Sequence, residues 1–146
     1  MRIKIFLLIV ITAVSALAAT AQTDADRDAV KRAALNYAEG WYEGDAAKME
    51  SALSPDLAKR IARKNDKGVS VLGQMTSTQL IEGTRGGSGK KTPAGEQMKD
   101  VRILDMMTNS ATVKLEMRDW VDYMHIAKMD GKWVIVNVLW EMKPKK

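Results

Sequence analysis

Up to Leu53 the apolar residues recur every three or four positions, whereas from Val101 onward they alternate with polar ones. The first period marks helices with one covered stripe and the second marks strands with one covered face. Val30, Ala33, Ala34, Tyr37 and Trp41 form the stripe of a first helix, opened by Asp24 or Asp26 and stopped at Gly44. A carboxylate can accept from the free amides of a first turn, and glycine tolerates the left-handed position past a helix end. Asp45 caps a second helix, Ala46 to Leu53, which Ser54-Pro55 ends. Asp56 to Arg63 reads equally as helix or strand and leads into a turn at Asn65-Asp66-Lys67-Gly68. Thr76 with Gln79 makes a capping box for a short third helix through Ile81. Thr84 to Gly95, with four glycines and a proline, reads as a loop.

The alternating region divides into four strands in a meander: Val101–Met107, Ala111–Met117, Val121–Lys128 and Lys132–Glu141. Asp130-Gly131 between the last two is a strong hairpin signal. Two-residue turns at Asn109-Ser110, Asp119-Trp120 and Asp130-Gly131 fix a register, and register chooses faces. One face then carries Leu104, Met106, Val113, Leu115, Met117, Met124, Ile126, Trp133, Ile135 and Leu139 beneath the helices. Arg102, Asp122, Lys128, Asn137 and Glu141 interrupt it, and Asp105 opposite Lys114 on the far face supports this pairing. The far face becomes apolar on the last two strands, where Tyr123, His125, Val134, Val136, Val138 and Trp140 form a patch suited to homodimer contact. The class is α+β: a curved antiparallel sheet built on this meander, with room for extra short strands, packed against about three N-terminal helices.

The N-terminus stands apart from this pattern. Arg2 and Lys4 precede an apolar run from Ile5 to Ile11, and Ala19-Thr20-Ala21 supplies small residues at a cleavage site. Residues 1–21 therefore read as a secretory signal peptide cut before Gln22, residues 22–142 as one domain, and residues 143–146 as a basic tail. The expected location is exported, periplasmic or secreted, with no membrane attachment after cleavage. The run is short and small-residue-rich for a span, which needs about 20 apolar residues, and no cysteine follows it to be acylated. The 146-residue chain has no cysteine at all, so packing alone must hold it. Its net charge of +5 matches the five basic residues Arg2, Lys4, Lys143, Lys145 and Lys146 at the two ends. The body between them is neutral and lacks basic-aromatic interleaving, which argues against nucleic acid as a partner.

A few polar groups in an apolar concavity are what a small-molecule pocket requires. The register supplies Arg102, Asp122 and Asn137, with Trp133 beside them and Tyr37 and Trp41 reaching in from the first helix. These six residues are the expected ligand pocket, for a small apolar or aromatic ligand and with no cofactor. An isomerase or dehydratase using Asp122 as general base, with Tyr37 as neutral donor, is a second reading. A dimeric interaction module whose pocket is filled by its own side chains is a third. His125, the single histidine, points outward, and one histidine without cysteine makes no transition-metal set. Gly86-Gly87-Ser88-Gly89-Lys90-Lys91-Thr92 fails as a phosphate loop because Thr84 stands at the first glycine position and Lys91 at the hydroxyl position. It reads instead as a loop able to lie over the pocket mouth. Pro55 to Arg60 reads as a solvated strand edge.

Four separated segments, in this order, resemble one family. They are Tyr37-Ala-Glu-Gly40-Trp41-Tyr42-Glu-Gly44-Asp45; Leu53-Ser-Pro55-Asp56-Leu57-Ala-Lys59-Arg60; Val121-Asp122-Tyr123; and Asp130-Gly131-Lys132-Trp133 continuing to Trp140-Glu141. They are similar to the nuclear transport factor 2-like (cystatin-like, SnoaL-like) superfamily, in the branch labelled putative lumazine-binding. The resemblance implies a cone-shaped sheet with helices across it, a pocket between them, and pairing through the outer sheet face. Relatives on this fold include ketosteroid isomerase and SnoaL-type cyclases beside many non-catalytic members. Val138 is apolar where SnoaL-type relatives tend to carry an acid, so the chain reads as a binding domain rather than an enzyme.

Overall fold

The computed structural model describes residues 24–144. The expected signal peptide, residues 1–21, and the last two lysines lie outside the described residues. Helix α1 covers residues 24–43 and ends at Gly44, whose φ of +69° suits glycine. Asp45 then caps α2 (Ala46–Ala52) by accepting from the Lys48 amide at 2.9 Å. A Cβ at Gly40 would stand 2.8 Å from the Met49 amide nitrogen, so the close crossing of α1 and α2 depends on that glycine.

The ambiguous stretch is extended. Strand β1 (Leu53–Lys64) starts directly after α2 and turns at Asn65, whose side chain accepts from the Lys67 and Val69 amides. β2 (Ser70–Met75) returns antiparallel to it. The capping box of Thr76 and Gln79 opens α3 (Ser77–Arg85), one turn longer than its apolar pattern suggests. Two 3-10 turns, Ser88–Lys91 and Ala94–Glu96, lead to the meander of β3 (Asp100–Met106), β4 (Ser110–Glu116), β5 (Trp120–Met129) and β6 (Lys132–Met142).

All six strands form one curved, unclosed sheet in the order β2-β1-β6-β5-β4-β3. Every pairing is antiparallel except β1 with β6, so the sheet is mixed where an antiparallel one was expected. Val30, Ala34, Tyr37, Met49 and Leu80 from the helices meet Val113, Leu115, Met124, Ile126 and Val138 of the sheet in a single core. The result is an α+β cone with its core between helices and concave face.

Three details of register differ from the sequence reading. The β4–β5 turn is made by Arg118-Asp119 rather than Asp119-Trp120, closed by the Met117 amide bonded to the Trp120 carbonyl at 3.0 Å, so Leu115 faces Asp122. That shift is even and leaves every face unchanged. In β3 a bulge between Ile103 and Asp105 keeps Val101, Ile103 and Met106 half-buried and turns Arg102 and Leu104 outward. Asp105, on the turn side of that bulge, faces Thr112 rather than Lys114 because the β3–β4 turn is Thr108-Asn109, with the Met107 amide bonded to the Ser110 carbonyl. It accepts from the neighbouring Met106 amide at 2.8 Å. In β6, Ile126 pairs with Ile135 but His125 pairs with Asn137, which leaves Val136 as an extra residue. Beyond it the phase reverses. Val138 and Trp140 point to the helices, while Asn137 and Leu139 point away from them. The Asp130-Gly131 turn itself is the tight kind expected, with φ of +49° and +79°.

Candidate functional site

Three elements, β1, β5 and α1, meet in a buried polar cluster on the concave face. Alternation along β1 turns Leu57 and Lys59 inward, and Lys59 is only 5 % exposed. β5 presents Asp122, which is 0 % exposed, and α1 presents Tyr37 from its apolar stripe. The Lys59 ammonium donates to Asp122 Oδ1 at 2.6 Å and to the Tyr37 hydroxyl oxygen at 2.7 Å. The Trp120 indole N–H donates to Asp122 Oδ2 at 2.8 Å, and the Tyr37 hydroxyl lies 3.5 Å from Oδ1. The ammonium also sits over the rings of Trp140 and Tyr37, 4.8 Å and 5.4 Å from their centres, a favourable cation–π position.

Burial governs the electrostatics. Loss of water pushes the Lys59 ammonium below its usual pKa, and the Asp122 charge partly restores it. Burial, then the Asp122 charge, holds the Tyr37 phenol well above its usual value, so it stays protonated. Among the described residues, no buried side-chain nitrogen or oxygen lacks a partner.

Above this cluster lies a cavity of about 240 Å³. Trp41, Trp120 and Trp140 wall it, with Trp120 edge-on to Trp41 at 5.8 Å and to Trp140 at 6.4 Å. Met75 and Leu80 add aliphatic surface, and exposed Asp119 and Met142 mark the solvent end. Two charged residues line it: Lys59 at the floor and Asp119 at the rim. The glycine-rich loop sets one wall. A Cβ on buried Gly89 would fall 2.2 Å from the Trp41 carbonyl oxygen and 2.5 Å from its ring, so this loop is packed against Trp41 and is not poised over the mouth.

The six residues expected in the pocket separate. Tyr37 and Trp41 line the cavity, and Asp122 lies sealed beneath it behind Lys59 and Trp120. Arg102 is exposed on the outer face because of the β3 bulge. Asn137 is also outside, accepting from Arg60 at 3.1 Å and lying 3.2 Å from His125 Nδ1. Trp133 is buried at the other end of the sheet, where its indole donates to Asp26 at 2.9 Å. The outer patch shrinks correspondingly. Tyr123 and His125 are exposed there, Val136 is the half-buried bulge residue, and Val134 is 8 % exposed. Val138 and Trp140 belong to the inside.

Lys59, Trp120 and Trp140 are the residues that the sequence reading missed. A signal for Lys59 exists: Leu57-Ala-Lys59 alternates, so a strand there must put lysine on the leucine face. The reading of Pro55–Arg60 as a solvated edge is therefore corrected at Lys59. Both oxygens of Asp122 are engaged, so a molecule in the cavity meets Lys59 before it meets the carboxylate.

A family model described as "Putative lumazine-binding" matches residues 25–141. The chain belongs to this family. Solved structures agree on the fold. A nuclear transport factor 2-like protein of unknown function from Shewanella baltica superposes with a TM-score of 0.63 at 16 % identity, covering 82 % of this chain and 95 % of that one. One from Silicibacter pomeroyi, also of unknown function, gives 0.64 at 13 % identity over 83 % and 98 %. One with a cystatin-like fold from Novosphingobium aromaticivorans gives 0.65 at 11 % identity over 89 % and 90 %. No curated protein matches the chain.

Proposed function

We propose that this chain is an exported small-molecule-binding domain that takes a flat ring system between Trp41, Trp120 and Trp140. One observation carries the reading: Lys59 lines an apolar aromatic cavity while only two of its three N–H donors are used within the protein. The third is available to an acceptor on the edge of a ligand. Size narrows the class. A cavity of about 240 Å³ exceeds the roughly 150 Å³ that accommodates a benzene ring and falls short of the roughly 300 Å³ where drug-sized sites begin. Two fused rings fit that interval. Lys59 and Asp122 together are neutral, which favours an uncharged ligand with a carbonyl or ring-nitrogen acceptor. A pteridine such as lumazine meets these demands, in keeping with the family's description.

Export rests on the signal-like pattern of residues 1–21, and homodimer contact rests on the exposed Tyr123 and Leu139 of the outer face. The isomerase reading is weaker, since Asp122 has no accessible surface and no unoccupied oxygen. The test titrates the purified chain with lumazine, a pterin and a flavin fragment, following tryptophan emission and thermal unfolding. Quenching with a rise in Tm is expected from at least one bicyclic compound, and both should be lost in Lys59→Met. If none of the three compounds changes either signal, the binding reading fails.

A further inference from the structure

We propose that Lys59 captures an aromatic aldehyde in this cavity as a protonated imine, with Asp122 serving as the proton store. This deepens the binding reading and rests on it, because the ring of the aldehyde occupies the same aromatic walls. A lysine that only held the fold together would have no reason to line a cavity. Lys59 does line it, and Asp122, to which it donates at 2.6 Å, lies beneath. Other lysines in the described structure are not enclosed in this way; Lys48, Lys99, Lys114, Lys128 and Lys143 make their ion pairs at partly exposed positions.

The amine must first lose a proton, and the site provides for it. Transfer from Lys59 Nζ to Asp122 Oδ1 turns two buried charges into a neutral amine and a neutral acid, which a water-poor surrounding favours. Burial lowers the basicity of Lys59 in the same direction. The nitrogen lone pair then attacks the carbonyl carbon, and one N–H proton moves to the carbonyl oxygen to give a carbinolamine. Its C–O bond breaks as the hydroxyl takes up the proton held on Asp122 and leaves as water. The product is a protonated imine on Lys59 beside the restored Asp122 carboxylate. Net, ammonium and aldehyde give iminium and water, with no oxidant or reductant required. The iminium inherits both the carboxylate partner and the cation–π position over Trp140.

The experiment incubates the purified chain with 2-naphthaldehyde and sodium cyanoborohydride, then maps reduced adducts by peptide mass spectrometry. Lys59 should be labelled at least about tenfold faster than any other lysine, as expected for a pre-positioned amine, and Lys59→Met should leave only slow, scattered labelling. In parallel, 2-naphthalenemethanol, which has the same rings but no carbonyl, is titrated against tryptophan emission. Quenching by the alcohol with no preferential Lys59 adduct would overturn imine capture and leave the binding reading intact. If the alcohol does not bind and labelling shows no preference for Lys59, both readings fall together. These comparisons are made on the unaltered protein, so they do not depend on a variant folding.

Discussion

Two places in this molecule bring the same three residue types together, an aspartate accepting from a lysine and from an indole. At one, Asp122 accepts from Lys59 at 2.6 Å and from the Trp120 indole at 2.8 Å. At the other, Asp26 accepts from Lys128 at 2.9 Å and from the Trp133 indole at 2.9 Å. Only water differs. The Lys59 and Asp122 side chains are 6 % and 0 % exposed, against 23 % and 22 % for Lys128 and Asp26. At the wetter site solvent shares the load, and the trio acts as a staple between the start of α1 and the β5–β6 hairpin. At the dry site both charges have left water, a penalty that mutual attraction only sometimes recovers. A buried ion pair is therefore poor evidence of a stability role, and its place beneath an aromatic cavity points towards ligand chemistry instead.

The contrast can be broken by mutation. Asp122→Ala strands Lys59 in an apolar site and should lower unfolding free energy by about 3–5 kcal/mol, read from urea melts. A loss no larger than that of an exposed pair would show that water reaches the site after all. Next, Gly89→Ala forces a methyl group onto the Trp41 backbone and should destabilise by about 1–3 kcal/mol, with a shift in tryptophan emission if the cavity wall moves. Removing both charges together, Lys59→Met with Asp122→Leu, should cost less than Asp122→Ala alone, because it leaves only the neutral Tyr37 hydroxyl and Trp120 indole without partners, yet abolish binding of bicyclic compounds. A large loss from this pair of changes would return the cluster to a structural role.

The smallest effect belongs to the exposed staple. Hydrogen bonds from Trp133 and Lys128 hold the Asp26 carboxyl below its usual pKa. A depressed carboxyl stabilises the fold fully above its unfolded pKa of about 3.9, and that contribution fades as pH falls through the lower folded value. Asp26→Asn should accordingly lower Tm slightly at pH 6, and the gap from wild type should close towards pH 2.

Most of the fold was legible because its signals were local. The α1 stripe, the caps at Asp45 and Thr76, and the Asp130-Gly131 turn each announce themselves within a few residues. The pocket was legible only in part, because its composition depends on phase over long strands. Trp133-Val134-Ile135-Val136 is apolar throughout, so nothing in the sequence marks where alternation resets. Counting by two from Trp133 therefore sends Asn137 inward and Trp140 outward, opposite to where the bulge puts them. Ile103-Leu104 conceals the β3 bulge in the same way, and with it the true side of Arg102. Lys59 was missed for a different reason. Its strand pairs with β6 across a long stretch of chain, and a lysine on a strand is ordinarily solvated.

The extra residue at Val136 gives the C-terminal strand two independently addressable halves. Upstream, residues 132–135 are committed to the hairpin and the core; downstream, residues 138–142 furnish one side of the cavity. Deleting that single valine would leave a regular ladder with Asn137 still opposite His125 and Trp140 still inside, so quenching by bicyclic compounds should survive the deletion. What places Trp140 in the cavity wall is its pairing with β5, whatever number of residues separates it from Trp133.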